Sequence, residues 1–197
     1  MKRGYLPGIV LLLTLLLSCS PEKLPRIVIE TEAGNIEAVL DTVRPPLTAR
    51  NFLQLVDRGI FAGACFYRVV KPDNQPLNDI KIEVIQGGLL ADSLIERFPA
   101  IPHETTAQTG LHHRDGTLSM ARSQPGSAST EFFICIGNQP QLDFGGHRNP
   151  DGQGFAAFGR VTAGMQVVRR IQQMPDSGQY LPAPVKILRI RSVRPAN

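Results

Sequence analysis

The sequence predicts a mainly β domain, built as an antiparallel barrel or a sandwich. About eight short runs of apolar and β-branched residues have the period-two alternation of strands. Turns or long loops connect these runs, whereas a βαβ sheet would place a helix between successive strands. Two amphipathic helices lie near the two ends of the strand series, and 197 residues suffice for one domain with a sizeable core.

The first elements along the chain are a hairpin and a helix. Residues 26–40, RIVIETEAGNIEAVL, indicate two strands around a turn at Ala33 and Gly34. Residues 45–59 predict an amphipathic helix, because prolines begin it and Gly59 lies where a C-terminal cap belongs. Its apolar face would carry Ala49, Phe52, Leu53 and Val56.

The rest of the chain holds the remaining strands and the second helix. Strands are predicted at residues 65–70, 82–86, 116–121, 131–136 and 155–161, with a last strand in strict alternation at 185–193. Residues 163–174 predict the second helix, whose apolar face would carry Met165, Val168 and Ile171. Two long loops, residues 71–79 and 145–154, are candidates for function because connections of this length often carry it.

Composition and spacing exclude several classes of function. Hydrophobic residues make up 42% and charged residues 19%, which is typical of a globular chain. The net charge of +4 is spread along the chain, so we predict no nucleic-acid partner. The four histidines lack the spacing of a metal site and no phosphate-binding glycine pattern is present, so we predict no metal and no other cofactor. These histidines are His103, His112, His113 and His147.

The N-terminus has the pattern of an export signal. Residues 1–18 combine a short basic start with an apolar run that is too short for a comfortable membrane span. The ending Leu-Leu-Ser-Cys resembles a bacterial lipobox, which implies cleavage before Cys19 and its lipidation. Residues 19–26 would then be a tether, and only the lipid would attach the exported protein to the periplasmic side of the cell envelope. The alternative is an ordinary signal peptide in which Cys19 is incidental.

Two further cysteines, Cys65 and Cys135, lie in strand-like apolar runs without metal or disulfide-framework spacing. Buried free thiols are one interpretation. A single bridge between them is the other, and its geometry cannot be deduced from sequence.

Arg68 is an unexpected residue in the run CFYRVV, residues 65–70. Strict alternation would place Phe66, Arg68 and Val70 on one face of this strand. Arginine is almost never fully buried without a partner. Either the strand is an edge along whose surface the arginine lies, or its face is a polar functional site.

Three later strands also place polar residues on apolar faces. Alternation places Val84 and Gln86 on the same face of one strand. It does the same for Ser119 and Ala121 on a second strand, and for Glu131 and Phe133 on a third. If these strands are neighbours of residues 65–70, they form an apolar depression with polar groups at its rim. The rim would hold Arg68, Gln86 and Glu131.

Four stretches resemble, in order, the signature stretches of the cyclophilins: FYRVV, VIQGG, GTLSMARSQPGSASTEFFICIG and FAAFGRVTAGMQVV. Cyclophilins are peptidyl-prolyl cis-trans isomerases. The resemblance therefore implies an eight-stranded antiparallel closed barrel capped by two helices, occupying residues 27–194, and prolyl isomerase activity.

The resemblance also implies site residues. It assigns the catalytic roles to Arg68 and Gln86. It places the proline pocket at Val84, Ala121, Phe133 and Leu142, and backbone contacts to bound peptide at Arg122 and Ser123.

Three positions depart from the family pattern. Glu131 replaces the usual glutamine, Phe155 replaces the pocket histidine, and Gln141 replaces a tryptophan, which predicts weak cyclosporin binding. An aromatic residue at 155 keeps the pocket wall. Glu131 would orient Arg68, compete with substrate for its donors, or be a solvated carboxylate at a strand start.

The predicted function is rotation of X–Pro bonds in proline-containing peptides and unfolded protein segments by a monomer. Arg68 would stabilise the twisted amide while the pocket holds the proline ring. Two alternatives are a binding module that grips proline segments without turnover and a structural envelope lipoprotein. Arg68 favours the enzyme, because a grip needs the pocket more than the arginine.

Overall fold

A computed structural model describes residues 24–193, which form a closed barrel of eight antiparallel strands. The strands are β1 (Arg26–Thr31), β2 (Gly34–Leu40), β3 (Cys65–Val70), β4 (Val84–Gly88), β5 (Thr117–Met120), β6 (Phe132–Cys135), β7 (Ala156–Ala163) and β8 (Tyr180–Val193). Their order around the barrel is β1-β2-β7-β5-β6-β4-β3-β8, and β8 pairs back with β1. The predicted antiparallel barrel is confirmed. The proposed signal peptide, Cys19 and most of the tether lie outside the described residues.

Two main helices pack on the barrel, as predicted. They are α1 (Pro46–Asp57), against β7 and β8, and α4 (Met165–Gln172), against β2, β3 and β4. Gly59 ends α1 with φ +68°, and the N–H groups of Gly59 and Ile60 close its last turn by donating to Val56 and Leu55. Within the described residues no helix is long and apolar enough to cross a membrane.

The predicted apolar face of α1 packs on the barrel, but the face is wider than predicted. Ala49, Phe52 and Val56 are buried, Leu53 is half-buried against the core, and Leu55 is buried as well. The stripe facing the barrel is centred near Phe52 and Val56, so that Leu55 also falls inside it.

Phe52 is at the centre of an aromatic cluster in the barrel core. Its ring centroid lies 5.0 Å from that of Phe61, 5.2 Å from Phe132 and 4.8 Å from Phe158. All four side chains are essentially inaccessible to solvent. These contacts join α1 to β6 and β7, so the helix is part of the core.

A second apolar cluster lies on the outer face of the barrel. It consists of Val70, Ile82, Val84, Phe133, Cys135 and Leu142, with Ala121 and Phe155 packed against it. The intervening residues of the same strands, such as Ile85, Phe132 and Ile134, belong to the interior cluster. Strands β4 and β6 are therefore largely apolar on both faces, because each face contacts a different cluster.

The predicted alternation along β3 is wrong at its first half. Phe66 pairs with Gly87 and Arg68 pairs with Gln86, so Tyr67 is an extra residue opposite β4. This β-bulge sends Phe66 and Val69 into the interior cluster and presents both Tyr67 and Arg68 to the outer side. Phe66 and Arg68 therefore do not share a face, although Arg68 and Val70 do.

Strand β8 also departs from its predicted pattern. It begins at Tyr180 and not at residue 185, and its strict alternation fails at Leu188, which is 55% exposed. The cause is an irregularity in pairing with β1, where Glu30 faces Arg189 but Thr31 faces Ile187.

The long connection between β4 and β5 was not predicted to contain helices. It holds two single-turn helices, α2 (Asp92–Ile95) and α3 (Thr106–Thr109). Neither is long enough to show helical periodicity in the sequence.

Both cysteines of the barrel are free thiols. Cys65 pairs with Gly88 at one end of β4, and Cys135 pairs with Val84 at the other end. At a rise of about 3.3 Å per residue these two positions are about 13 Å apart, too far for a disulfide.

Candidate active site

A groove of about 680 Å³ crosses the outer face of β3, β4 and β6 and the segment that follows β5. All ten residues that the sequence assigned to catalysis and substrate binding line it. They are Arg68, Val84, Gln86, Ala121, Arg122, Ser123, Glu131, Phe133, Leu142 and Phe155. Tyr67, Arg148 and Tyr180 line the groove as well and were not predicted.

The apolar end of the groove is a pocket made by Val84, Ala121, Phe133, Leu142 and Phe155, here called the outer pocket. The rings of Phe133 and Phe155 meet edge to face, with centroids 5.3 Å apart. The Phe155 N–H donates to the Leu142 carbonyl at 2.9 Å, which joins two walls of the pocket.

Gly154 allows these two walls to approach each other. It has φ +61°, and a Cβ there would lie 2.5 to 2.6 Å from backbone atoms of Leu142 and Asp143. A side chain at this position would therefore separate Phe155 from Leu142 and open the pocket.

The guanidinium of Arg68 lies beside the outer pocket and is held by two neutral amides. Its Nη1 donates to Gln86 Oε1 at 2.8 Å, while Nε and Nη2 donate to Gln179 Oε1 at 3.0 and 2.6 Å. Within residues 24–193, three of its five N–H groups are thus used and two remain for a ligand. Burial lowers the pKa of Arg68, but arginine stays protonated in proteins, so the site keeps its positive charge.

Gln179 is a site residue that sequence reasoning missed. It precedes β8 with φ +78°, and its Nε2 donates to the Asn74 carbonyl at 3.1 Å. Its contact with Arg68 spans 111 positions of sequence, and no local pattern signals such a contact.

Glu131 does not pair with Arg68, and it is not a solvated carboxylate. Its Oε2 accepts the Tyr67 hydroxyl at 2.6 Å, and its Oε1 accepts the Leu89 N–H at 2.6 Å. Gln86 Nε2 donates to the same tyrosine hydroxyl at 2.7 Å, so Glu131 reaches Arg68 only through Tyr67 and Gln86. Burial raises the pKa of Glu131, and burial together with Glu131 raises the pKa of Tyr67, which keeps the hydroxyl a donor.

Arg122 forms the rim of the groove next to the outer pocket. It makes a two-pronged ion pair with Asp151, at 2.7 and 2.9 Å, and its guanidinium lies 5.1 Å from the Phe155 ring centroid. Its Nε also donates to the Gly154 carbonyl at 2.8 Å. The side chain therefore fixes the 145–154 loop, while the neighbouring Ser123 is exposed on the rim.

A hydrogen-bonded chain of Asp143, His113 and Ser119 supports the outer pocket from behind. His113 Nδ1 lies 2.6 Å from Asp143 Oδ1, and its Nε2 lies 2.9 Å from Ser119 Oγ. The His113 ring stacks on Phe133 with centroids 5.9 Å apart. Ser119 is fully buried and cannot reach a substrate, so this chain positions Phe133 and does not act as a nucleophilic triad.

In the sequence, His113 was considered as a metal ligand, and its bonds to Asp143 and Ser119 were not predicted. Asp143 lies 30 positions away, on a loop. With Nδ1–H donating to the carboxylate, Nε2 of the neutral ring accepts the Ser119 hydroxyl.

Replacing His113 by glutamine is expected to flatten the dependence of stability on pH between pH 7 and 5. Burial lowers the pKa of His113, and Asp143 opposes this shift only in part. The folded imidazole therefore stays neutral below about pH 6.5, where the unfolded one takes up a proton. The unfolded state binds more protons there. The wild-type free energy of unfolding therefore has its full value above pH 6.5 and decreases as the pH is lowered further.

Urea unfolding at pH 7, 6 and 5 measures this slope. The matched control is His147→Gln, at an exposed histidine whose ring has no hydrogen bond to any residue from 24 to 193, and it should keep the wild-type slope. A wild-type slope in His113→Gln as well would show that other groups set the pH dependence.

Comparison with known proteins gives one consistent family. The model of the cyclophilin-type peptidyl-prolyl cis-trans isomerases matches residues 26–192. Peptidyl-prolyl cis-trans isomerase A of Dickeya dadantii is 32% identical over 171 residues, covering 85% of this chain and 83% of the relative. Peptidyl-prolyl cis-trans isomerase B of Escherichia coli is 31% identical over 166 residues, covering 83% and 94%.

Solved structures agree on the fold. A cyclophilin-type isomerase of Cryptosporidium parvum superposes with a TM-score of 0.69 at 21% identity, covering 88% of this chain and all of the other. A second crystal structure of that protein, obtained in the presence of the dipeptide Ala-Pro, superposes with a TM-score of 0.67.

Proposed function

This chain belongs to the cyclophilin-type peptidyl-prolyl cis-trans isomerases, and we propose that its catalytic site is the groove described above. The outer pocket holds the proline ring of a peptide or an unfolded protein segment. Arg68 stabilises the twisted X–Pro amide. The protein acts as a monomer and needs no cofactor.

The chemistry requires neither a nucleophile nor a proton transfer. An X–Pro bond favours trans by only about 0.5–1 kcal/mol, but its rotation must cross a resonance barrier of about 18–20 kcal/mol. In the twisted amide the nitrogen has lost conjugation and its lone pair is localised. The enzyme therefore gains rate by binding this state more tightly than either planar isomer.

The outer pocket supplies a fixed point for the rotation. Val84, Phe133 and Leu142 are buried side chains, and Phe155 closes the pocket against the Phe133 ring. A proline ring there exchanges water for apolar contacts, while the chain on the other side of the amide stays free to turn.

Arg68 supplies a positive charge beside the X–Pro amide, whose nitrogen loses its conjugation during rotation. Arg68 lines a groove partly closed to water and keeps two unused N–H groups, and its hydrogen-bond partners are the neutral oxygens of Gln86 and Gln179. The guanidinium can therefore donate to a substrate carbonyl and stabilise the developing lone pair without breaking an ion pair.

For Gln86 we propose a role other than the catalytic one that the sequence predicts. Its Oε1 accepts from Arg68 and its Nε2 donates to Tyr67, so both ends of the amide are committed within the protein. We therefore assign Gln86 as a positioning residue for Arg68.

The observation that carries this proposal is an arginine with two free donors beside an apolar pocket of suitable shape. The test is two-dimensional NMR exchange on an Ala-Pro-Phe peptide, with catalytic amounts of the full chain in mild detergent. Faster cis–trans exchange supports the proposal. Chemical-shift changes of the peptide without faster exchange would replace it with a module that only grips proline segments.

We further propose that the protein is exported and anchored to the cell envelope through lipid on Cys19. The support is the sequence alone: a leucine-rich run that ends on Ser18 and Cys19. Growth with an alkyne-labelled fatty acid should label the wild type and not Cys19→Ser. Cys65→Ser is the matched control and should remain labelled, and equal labelling of Cys19→Ser would contradict the lipid anchor.

A further inference from the structure

Arg148 adds a positive charge to the groove besides Arg68 and the Asp151-paired Arg122, and the proposed mechanism does not use it. It lies in the 145–154 loop, is half-buried, and lines the same cavity as Arg68. We infer that Arg148 selects proline segments that carry an acidic side chain either two residues before the proline or directly after it. This inference rests on the proposed function, because it assumes that substrate binds in the groove.

The contacts of Arg148 leave most of its guanidinium unused. Its Nη1 donates to Gln75 Oε1 at 2.9 Å and to the Ile80 carbonyl at 2.6 Å. Both acceptors are neutral and belong to the loop between β3 and β4. Nε and Nη2 make no hydrogen bond within residues 24–193, so three N–H groups remain for a ligand.

The charges that line the groove are unevenly balanced. They belong to Arg68, Asp92, Arg122, Glu131 and Arg148. Asp151 neutralises Arg122, and Glu131 is bound to Tyr67 and Leu89 on the other side of the groove. Arg68 and Arg148 have no carboxylate partner in the described part of the chain, and burial, together with the charge of Arg68, lowers the pKa of Arg148.

A purely structural role explains Arg148 less well. Nη1 alone makes both bonds that join the two loops, so the other three N–H groups are not needed for this link. Burying half of a cation beside a second one is costly unless an anion completes the site. A substrate carboxylate could accept two parallel N–H bonds from the free edge of this guanidinium.

The test compares kcat/KM for three acetylated tetrapeptide amides, Ala-Ala-Pro-Ala, Glu-Ala-Pro-Ala and Ala-Ala-Pro-Glu, with the full chain in detergent. We expect the wild type to favour at least one glutamate peptide over the neutral one by about 5- to 10-fold at low salt. In Arg148→Gln the kcat/KM values for the glutamate and neutral peptides should differ by no more than about twofold. The matched control Arg114→Gln, at an exposed arginine outside the groove, should keep both the ratio and the neutral rate.

Salt dependence of the wild type tests the inference even if Arg148→Gln is poorly folded. Because screening shortens the range of the interaction, about 0.5 M NaCl should abolish the preference. Equal wild-type rates for all three peptides at low salt, or a preference that survives in Arg148→Gln, would overturn the inference and leave the proposed function intact. Absence of turnover on every peptide would instead remove the proposed function, and the inference with it.

Discussion

Replacement of Arg68 by alanine is expected to lower kcat/KM for an Ala-Pro peptide by about 100- to 1000-fold, the usual cost of removing one preorganised donor to a transition state. Binding of the peptide should weaken far less, because the outer pocket remains intact. The fold should remain intact too, because the amides of Gln86 and Gln179 are only half-buried and water can replace their bonds to the guanidinium. NMR exchange measures turnover, and thermal unfolding checks the fold.

Two further variants complete this test: one asks whether the shape of the charged group matters, and the other is a control. Arg68→Lys keeps the charge but not the planar fork, so it should recover only a small part of the lost rate. Arg169→Ala is the matched control, since this exposed arginine pairs with Asp115 away from the groove. If Arg68→Ala kept more than half of the wild-type rate, the pocket alone would be responsible for catalysis.

Replacement of Phe52 by alanine is expected to lower the free energy of unfolding by about 3–5 kcal/mol. The side chain is fully buried, and its ring contacts those of Phe61, Phe132 and Phe158. The substitution therefore leaves a cavity lined by rigid rings that cannot easily collapse into it. Urea unfolding at pH 7 measures the loss.

Gln54→Ala is the control on the same helix, and because Gln54 is exposed it should change stability by less than about 0.5 kcal/mol. Phe52→Leu should fall between these two values, since it keeps part of the volume. A loss below about 1 kcal/mol for Phe52→Ala would mean that α1 is not an integral part of the core.

Alternation predicted the groove correctly wherever the strands are regular. Val84 and Gln86 share the outer face of β4, and Glu131 and Phe133 lie on the outer side with β6, because one residue of each pair follows the other by two positions. The same rule failed for β3, since the bulge at Tyr67 depends on pairing with β4 and leaves no mark in the local sequence. Arg68 was nevertheless placed on the correct face, because the chain is regular from Arg68 to Val70.

The contacts that tune the site were not predictable in this way. Gln179, Arg148 and Asp143 all lie in connections between strands, and their partners are distant in sequence. Glu131 shows the same limit: its position was foreseen, but its bond to Tyr67 required the bulge that turns the tyrosine outward. Loop conformation and bulges arise from tertiary packing, which no periodicity records.

Residues that are adjacent in the chain serve separate purposes in this barrel. Phe132 belongs to the interior cluster and its neighbour Phe133 to the outer pocket. During evolution the groove can therefore change through single substitutions while the interior stays constant. Insertion or deletion of one residue within β6 has the opposite consequence, because it would exchange the two faces and damage the core and the pocket together. We therefore expect this protein to tolerate changes of length in its loops and not within β6, so that changes of loop length alter the groove without damage to the core.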